Sequence, residues 1–312
     1  MKKFIKAVFF ISALPIVFLL GLNSKKTLVS LKKKWTPKAV EAVFPVLEHK
    51  PFVVIVPSFN NEKWVAKNLG SILEQNYDNF RIIYINDAST DETKFKVEKY
   101  FEEHAYGIPY ELWDNRSNLG ASENIYRAVM SCENDEIIVI VDGDDWLAHD
   151  HVLQRLNEVY ADPDVWMTCG NHLQYVPYTF IRADAAGGIP KEVQNSNSLR
   201  SYVQYKYPLS HLKTFYTALF KKVKFEDFQI DGHFFDCTSD VAMMVPMAEM
   251  AGSHYRHIRD ILYIYNHVTP MNDDKIRFKR QQECLHNICS RPPYKPLSNL
   301  ILDANKEQIA NR

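Results

Sequence analysis

The chain has 312 residues, 46% of them apolar, and 37 lysines and arginines set against 38 acids give a net charge of −1. That balance allows one large globular domain or two small ones, and it excludes a disordered chain or a general nucleic-acid binder. Five cysteines (Cys132, Cys169, Cys237, Cys284 and Cys289) are odd in number and form no tight framework, so they read as reduced thiols. Cys284 and Cys289 with His286 between them match no common zinc spacing and read as a helix face.

Lys2, Lys3 and Lys6 precede Ala7–Leu22, a run interrupted only at Ser12, Pro15 and Gly21. Its length lies between a signal h-region and a relaxed membrane span. Asn23-Ser24-Lys25-Lys26 is a poor cleavage site, so residues 1–24 read as an uncleaved signal anchor in preference to a cleaved signal peptide. Lysines on both flanks, including Lys32, Lys33 and Lys34, leave the orientation open. Residues 25–50 read as a basic stalk, lying on anionic lipid or simply linking the parts in solution.

From Pro51 strands and helices alternate. The pattern predicts strands over Phe52–Val56, Arg81–Ile85, Tyr110–Trp113 and Ile137–Val141, with helices over Glu62–Gln75, Asp91–His104 and Ala121–Ser131. Strands separated by helical stretches indicate βαβ units and a parallel sheet. Beyond residue 165 the pattern loosens. Tyr175–Phe180 and Ser201–Tyr207 are aromatic and strand-like, and Asp184–Ser198 reads as a mobile loop. A Met-rich helix over Asp240–Ala251, a strand over Ile261–Tyr265 and a basic helix over Lys275–Ile288 follow. Residues 291–312 read as a tail.

Ile137–Val141 is an unbroken apolar run, as a strand buried on both faces requires, and Asp142-Gly143-Asp144-Asp145 follows it directly. Carboxylates so close together repel and lose hydration, and a hard divalent cation such as Mg²⁺ or Mn²⁺ relieves both costs. The alternative is a solvated Asp-Gly turn leading into a helix. An EF-hand is excluded because Leu153 occupies the twelfth position. Ligands of open parallel sheets bind beyond the carboxyl ends of the strands. Polar clusters collect there: Pro57-Ser58-Phe59-Asn60-Asn61, Asn86 to Asp91, Asn115 to Gly120, and Asp142 to Asp145.

Pro57 to Asn60, Asn86 to Asp91, Asn118 to Asn124 and Asp142 to Leu147 together resemble the inverting GT-A glycosyltransferases, the large family that includes cellulose, chitin and hyaluronan synthases and bacterial polysaccharide transferases. The four motifs occur in family order over residues 51–170. The resemblance implies an α/β GT-A fold, Rossmann-like, with a mostly parallel sheet flanked by helices. It would occupy residues 51–290, the nucleotide-sugar half over 51–165 and the acceptor half over 166–290. It implies a nucleotide-sugar donor, most simply a UDP-sugar, and a glycan, lipid-linked saccharide or glycoprotein acceptor.

By the same resemblance Pro57, Ser58, Phe59 and Asn60 line the nucleotide pocket, and Asp87 accepts a hydrogen bond from the base. Arg116, Asn118 and Gly120 lie where nucleotide contacts are expected. Asp142 and Gly143 approach the ribose or diphosphate, and Asp144, supported by Asp145, holds Mn²⁺ or Mg²⁺. His267 resembles the family's late metal-touching histidine. Asp240, at a helix start, is the expected general base, without the family's preceding Glu; Asp236 is the runner-up. Arg200 and Lys206 are positional candidates for diphosphate contacts. The tyrosines between 175 and 216 read mainly as core packing, with acceptor stacking as the alternative. The Gln-x-x-Arg-Trp motif of polymerising synthases is absent, which argues against processive synthesis. A sugar-phosphate nucleotidyltransferase would need a Gly-rich cationic loop that Pro57–Asn61 lacks. A non-catalytic nucleotide-sugar-binding protein is the remaining alternative.

Overall fold

The computed structural model describes residues 4–7, 42–45, 47–177, 179–182, 187–269 and 277–302. The chain divides into two units, Met1–Glu48 and His49–Arg312. In the first, Phe4–Ala7 pairs antiparallel with Ala42–Pro45. Residues 8–41 lie outside the described residues, and with them nearly all of the expected anchor and most of the stalk. Among the described residues, no helix is long and apolar enough to cross a membrane.

The second unit is an α/β fold built on a nine-stranded sheet. Its elements begin β1 Phe52–Ser58, α1 Val65–Leu73, β2 Phe80–Asn86, α2 Thr93–His104, β3 Tyr110–Asp114, α3 Ala121–Met130 and β4 Ile137–Ile140. Then come β5 Trp146–Leu147, α4 Val152–Tyr160, β6 Met167–Val176, β7 Thr179–Arg182, α5 Lys191–Asn195 and α6 Leu199–Val203. The last are β8 Lys213–Tyr216, α7 Thr217–Phe220, the short pair β9 Gln229–Ile230 and β10 His233–Phe234, α8 Ser239–Ala251, β11 Tyr255–Asn266 and α9 Phe278–Ser290.

The strand order is β3-β2-β1-β4-β8-β6-β11-β5, with β7 on β6. The first four strands are mutually parallel. β8 enters antiparallel between β4 and β6, β11 runs parallel to β6, and β5 closes the far edge antiparallel. β1 and β4 are buried at every position because helices cover both faces of the sheet. Alternate residues serve the two layers. Val53, Ile55, Ile83, Ile85 and Ile138 pack with α3 and α8, whereas Val54, Val56, Ile82, Tyr84 and Val139 pack with α1, α2 and α4. Helix α8 is buried from Val241 to Ala251, so its four methionines are core filler.

The early elements fall where expected. The later ones depart in four places. Tyr175–Phe180 straddles the β6–β7 hairpin rather than forming one strand. Ser201–Tyr207 is not a strand: α6 buries Leu199, Arg200 and Val203, and this packing overrides the β-propensity of its tyrosines. The expected loop over 184–198 contains α5. The expected tail is packed at its start, where Leu297 N–H bonds to Met250 O at 2.8 Å and Tyr294 N–H bonds to Glu249 Oε2 at 3.0 Å.

Candidate active site

The carboxyl ends of β1 to β4 meet in a web of short hydrogen bonds. Asn60 takes φ +55°. Its N–H bonds to Ser89 Oγ at 3.0 Å, and its Oδ1 accepts from Thr90 N–H at 2.8 Å. Ser58 is buried, its Oγ accepting from Tyr84 at 2.9 Å and from Asn61 Nδ2 at 3.1 Å. Asp87 is buried and brackets the next loop. Its Oδ1 accepts from Asn115 Nδ2 and Leu119 N, its Oδ2 from Gly120 N, each at 2.8 Å. Asn118 Nδ2 closes the bracket on Asp87 O at 3.2 Å. Asp87 therefore shapes the 115–120 loop through its own hydrogen bonds, while Arg116 and Asn118 are exposed on that loop and Phe59 is exposed.

Three of the five described non-glycine residues with positive φ lie around this edge: Asn60, Ala88 at +57° and Thr238 at +56°. Asn tolerates that region. Ala and especially β-branched Thr do not, so the surrounding structure must impose it, as happens at functional sites. Gly143 is required for a different reason. A Cβ there would lie 2.4 Å from Ser58 Oγ and 2.6 Å from Ser58 Cβ, so β1 and the acidic turn close up only over a glycine. Gly120, at φ +83°, supplies the left-handed entry to α3.

The acidic turn is fixed from behind. Asn68 Nδ2 on α1 reaches Asp142 O at 3.0 Å and Asp145 O at 2.8 Å. Tyr263 on β11 donates to Asp145 Oδ2 at 2.7 Å and accepts from Asp142 N at 3.1 Å. Asn266 N–H holds Asp145 Oδ1 at 2.7 Å. Donor atoms of Asp142, Asp145 and His211 all lie within 4.8 Å of one another. His211 was not anticipated. It precedes β8, stacks on Tyr263 at 4.7 Å between ring centroids, and puts Nε2 3.7 Å from Asp142 Oδ2. Asp144 and His267 stand outside this group; His267 N–H bonds to Tyr175 O at 2.9 Å.

The carboxyls differ in their protonation. Burial, then the charge of Asp142, pushes the Asp144 carboxyl up to about 6. Burial, then Asp144 and Asp142, raises Asp145 well above the carboxylate range. Asp142 goes the other way: burial opposes ionisation, but His211, Lys213 and Tyr263 outweigh it. Burial, then Lys213, lowers His211, so its imidazole is neutral at pH 7. Its Nδ1 is buried and has no hydrogen-bond partner among the described residues. Two carboxyls reluctant to ionise, one ionised carboxylate and a neutral imidazole form a donor set that fits a hard or borderline divalent cation.

On the acceptor side, Asp240 opens α8, and its Oδ2 lies 3.6 Å from Lys213 Nζ. The buried Tyr207 phenol is held protonated first by burial and then by the Asp240 charge. Asp236 does not share this setting. Arg277 and Arg280 both bind it; burial opposes them, yet they hold its carboxyl below the usual range. A carboxylate held by two guanidiniums is a poor proton acceptor, so the runner-up base is corrected. Arg200 is corrected too. It is buried, pairs with Glu249 through Nε at 2.9 Å and donates from Nη1 to Ile288 O at 2.7 Å, so it ties α6, α8 and α9 together and is unavailable to a diphosphate. Lys206 is exposed. Tyr175 packs with Trp146 at 5.4 Å and Trp64 at 6.3 Å, beneath Lys67.

The sequence profile of glycosyl transferase family 2 matches residues 53–228, which include every loop at the carboxyl ends of β1 to β4 together with His211 and Lys213. The chain belongs to that family. Among curated members it is 34% identical over 125 residues to glycosyltransferase GlyA of Streptococcus pneumoniae, a match covering 39% of this chain and 17% of GlyA. It is 29% identical over 175 residues to poly(ribitol-phosphate) beta-N-acetylglucosaminyltransferase TarS of Staphylococcus aureus, covering 54% of this chain and 28% of TarS. The matches thus span less than a third of either relative. Among solved structures, S. aureus TarS 1-349 in complex with UDP-GlcNAc superposes with a TM-score of 0.53 at 21% identity, covering 69% of this chain and 58% of that one. The likeness shows a shared fold: this glycosyl transferase family 2 chain has the GT-A architecture.

Proposed function

We propose that the chain is an inverting, metal-dependent glycosyltransferase. It moves a sugar from a nucleotide-sugar donor, a UDP-sugar, to a hydroxyl of a glycan, lipid-linked saccharide or glycoprotein. The observation that carries this reading is the acidic turn: carboxyls that cannot all ionise alone, at the carboxyl edge of a parallel sheet, facing a separate carboxylate at a helix start. Two relatives support the choice of donor. TarS is solved with UDP-GlcNAc, and a 28% identical relative of 97 matched residues is the UDP-Glc:alpha-D-GlcNAc-diphosphoundecaprenol beta-1,3-glucosyltransferase WfgD of Escherichia coli.

In this mechanism the Asn60, Asp87 and Asn118 loops hold the nucleoside. Asp240 takes the proton from the acceptor hydroxyl. That oxygen bonds to the anomeric carbon from the face opposite the nucleotide, and the bond from that carbon to the diphosphate oxygen breaks. Asp144 and Asp145, expected from the sequence, together with Asp142 and His211, grouped by the geometry, would hold Mn²⁺ or Mg²⁺; His267 remains a candidate from the sequence alone. The cation, when bound, neutralises the negative charge gathering on the departing diphosphate. Tyr263, Asn68 and Asn266 keep the acidic turn in register without reorganising during the reaction. Residues 1–24 are proposed as a membrane tether. Release of the full chain from membranes by salt alone, without detergent, would contradict that.

General-base assistance contributes roughly 10²–10⁴-fold. Asp240→Asn should therefore lower sugar transfer by about that factor, with donor affinity unchanged. The check is UDP release from UDP-GlcNAc or UDP-glucose, measured beside calorimetric donor binding. A variant that binds donor and turns over at the wild-type rate would remove Asp240 from the reaction. Wild-type binding without turnover or transfer would favour the non-catalytic reading.

A further inference from the structure

Lys213 is the first residue of β8, a strand in the middle of the sheet, and lies opposite Ile140. Its side chain is only 5% exposed. Lysine is rarely buried at such a position, because an ammonium stripped of water is costly unless it is matched. Here it has two partners: Nζ is 3.0 Å from His211 Nε2 and 3.6 Å from Asp240 Oδ2. A second carboxylate is near, since Asp142 lies 3.7 Å from the same imidazole nitrogen. One lysine therefore stands between the base side and the donor side of the site. Among the described residues it is the sole cation paired with Asp240.

We propose that Lys213 is a positioning residue for the reaction, acting through Asp240. Its ammonium engages Oδ2 and leaves Oδ1 to meet the acceptor hydroxyl. One other feature restricts the base: the left-handed Thr238 sets the direction in which α8 presents it. His211 Nε2 flanks the ammonium on another side at 3.0 Å. Lys213 itself neither forms nor breaks a bond. The proton moves from the acceptor to Asp240, as in the proposed function, on which this inference rests.

The test is a double-mutant cycle on the full chain with Mn²⁺ present. It reads UDP release from UDP-GlcNAc or UDP-glucose as kcat, and donor Kd by calorimetry. Lys213→Met should lower kcat by about 10- to 100-fold, a portion of the base's own contribution, with donor Kd changed less than about threefold. Combined with Asp240→Asn it should add less than about twofold, because the two residues act as one unit. Lys213→Arg should recover part of the lost rate. A merely structural lysine would give the same fold loss in both backgrounds, and that result overturns the proposal, as does wild-type kcat in Lys213→Met. If Lys213→Met does not fold, Lys213→Gln replaces it with the same outcomes, and equal losses in the Gln and Arg variants overturn the proposal. Full kcat in Asp240→Asn alone, or no turnover of either donor by the wild type, instead defeats the proposed function itself.

Discussion

Asparagine at position 144 should make the cation-free protein more stable. The Asp144 carboxyl is pushed up to about 6 by burial and by Asp142, against an ordinary 3.8. The folded protein keeps this proton over a range in which the unfolded chain has already released it. The sign follows: the stability is fully present below pH 4, is lost as pH rises toward 6, and stays lost above it. Roughly two pH units at about 1.4 kcal/mol each give about 3 kcal/mol, and partial exposure screens this to about 2 kcal/mol. For a unit of this size that corresponds to roughly 4–8 °C in Tm. Asp144→Asn keeps the shape and removes the ionisation. Thermal unfolding of both proteins in EDTA, from pH 4 to pH 8, reads the difference. The variant should match the wild type at pH 4 and melt about 4–8 °C higher at pH 7. MnCl₂ should then raise the wild-type Tm, by mass action on the folded state, and leave the variant nearly unmoved. A variant less stable than the wild type at pH 7 in EDTA, or a difference independent of pH, would refute the reasoning.

Gly143→Ala places a Cβ 2.4 Å from Ser58 Oγ; overpacking of this kind costs roughly 1–3 kcal/mol. Urea unfolding should show the loss, and calorimetry should show donor affinity falling with it, because β1 and the acidic turn part. Arg200→Met leaves Glu249 buried and unpaired, which should cost about 3–5 kcal/mol in urea unfolding. Adding Glu249→Gln should restore much of that loss. Unchanged stability in Arg200→Met would show that the pair does not hold α6, α8 and α9 together.

The first half of the fold was legible because its signals are local. Phe52–Val56, Ile82–Ile85 and Ile137–Ile140 are continuous apolar runs within β1, β2 and β4, and the clusters after them are turn and cap residues at the carboxyl edge. The other half depends on partners distant in sequence. Lys213 opens a central strand with a charge, so neither β8 nor its link to Asp240 shows in a pattern of apolar residues. His211 approaches Asp142 only because β8 lies beside β4. Arg200 carries the charge a diphosphate wants, yet Glu249, one residue before Met250 on the next long helix, claims it. The family resemblance makes Asp145 a support for Asp144; the structure turns it inward onto Tyr263 and Asn266, where it groups with Asp142 and His211. Carboxylate spacing gives the number of charges at a turn but not their directions, which β11 decides.

The central claim is that this edge binds a nucleoside diphosphate sugar together with a divalent cation. Isothermal titration of UDP-GlcNAc and UDP-glucose into the full chain, with MnCl₂ and then with EDTA, tests it most directly. The account predicts binding of at least one donor in MnCl₂, lost or strongly weakened in EDTA and in Asp144→Asn. No binding of either donor in MnCl₂, or equal affinity in EDTA, would contradict it.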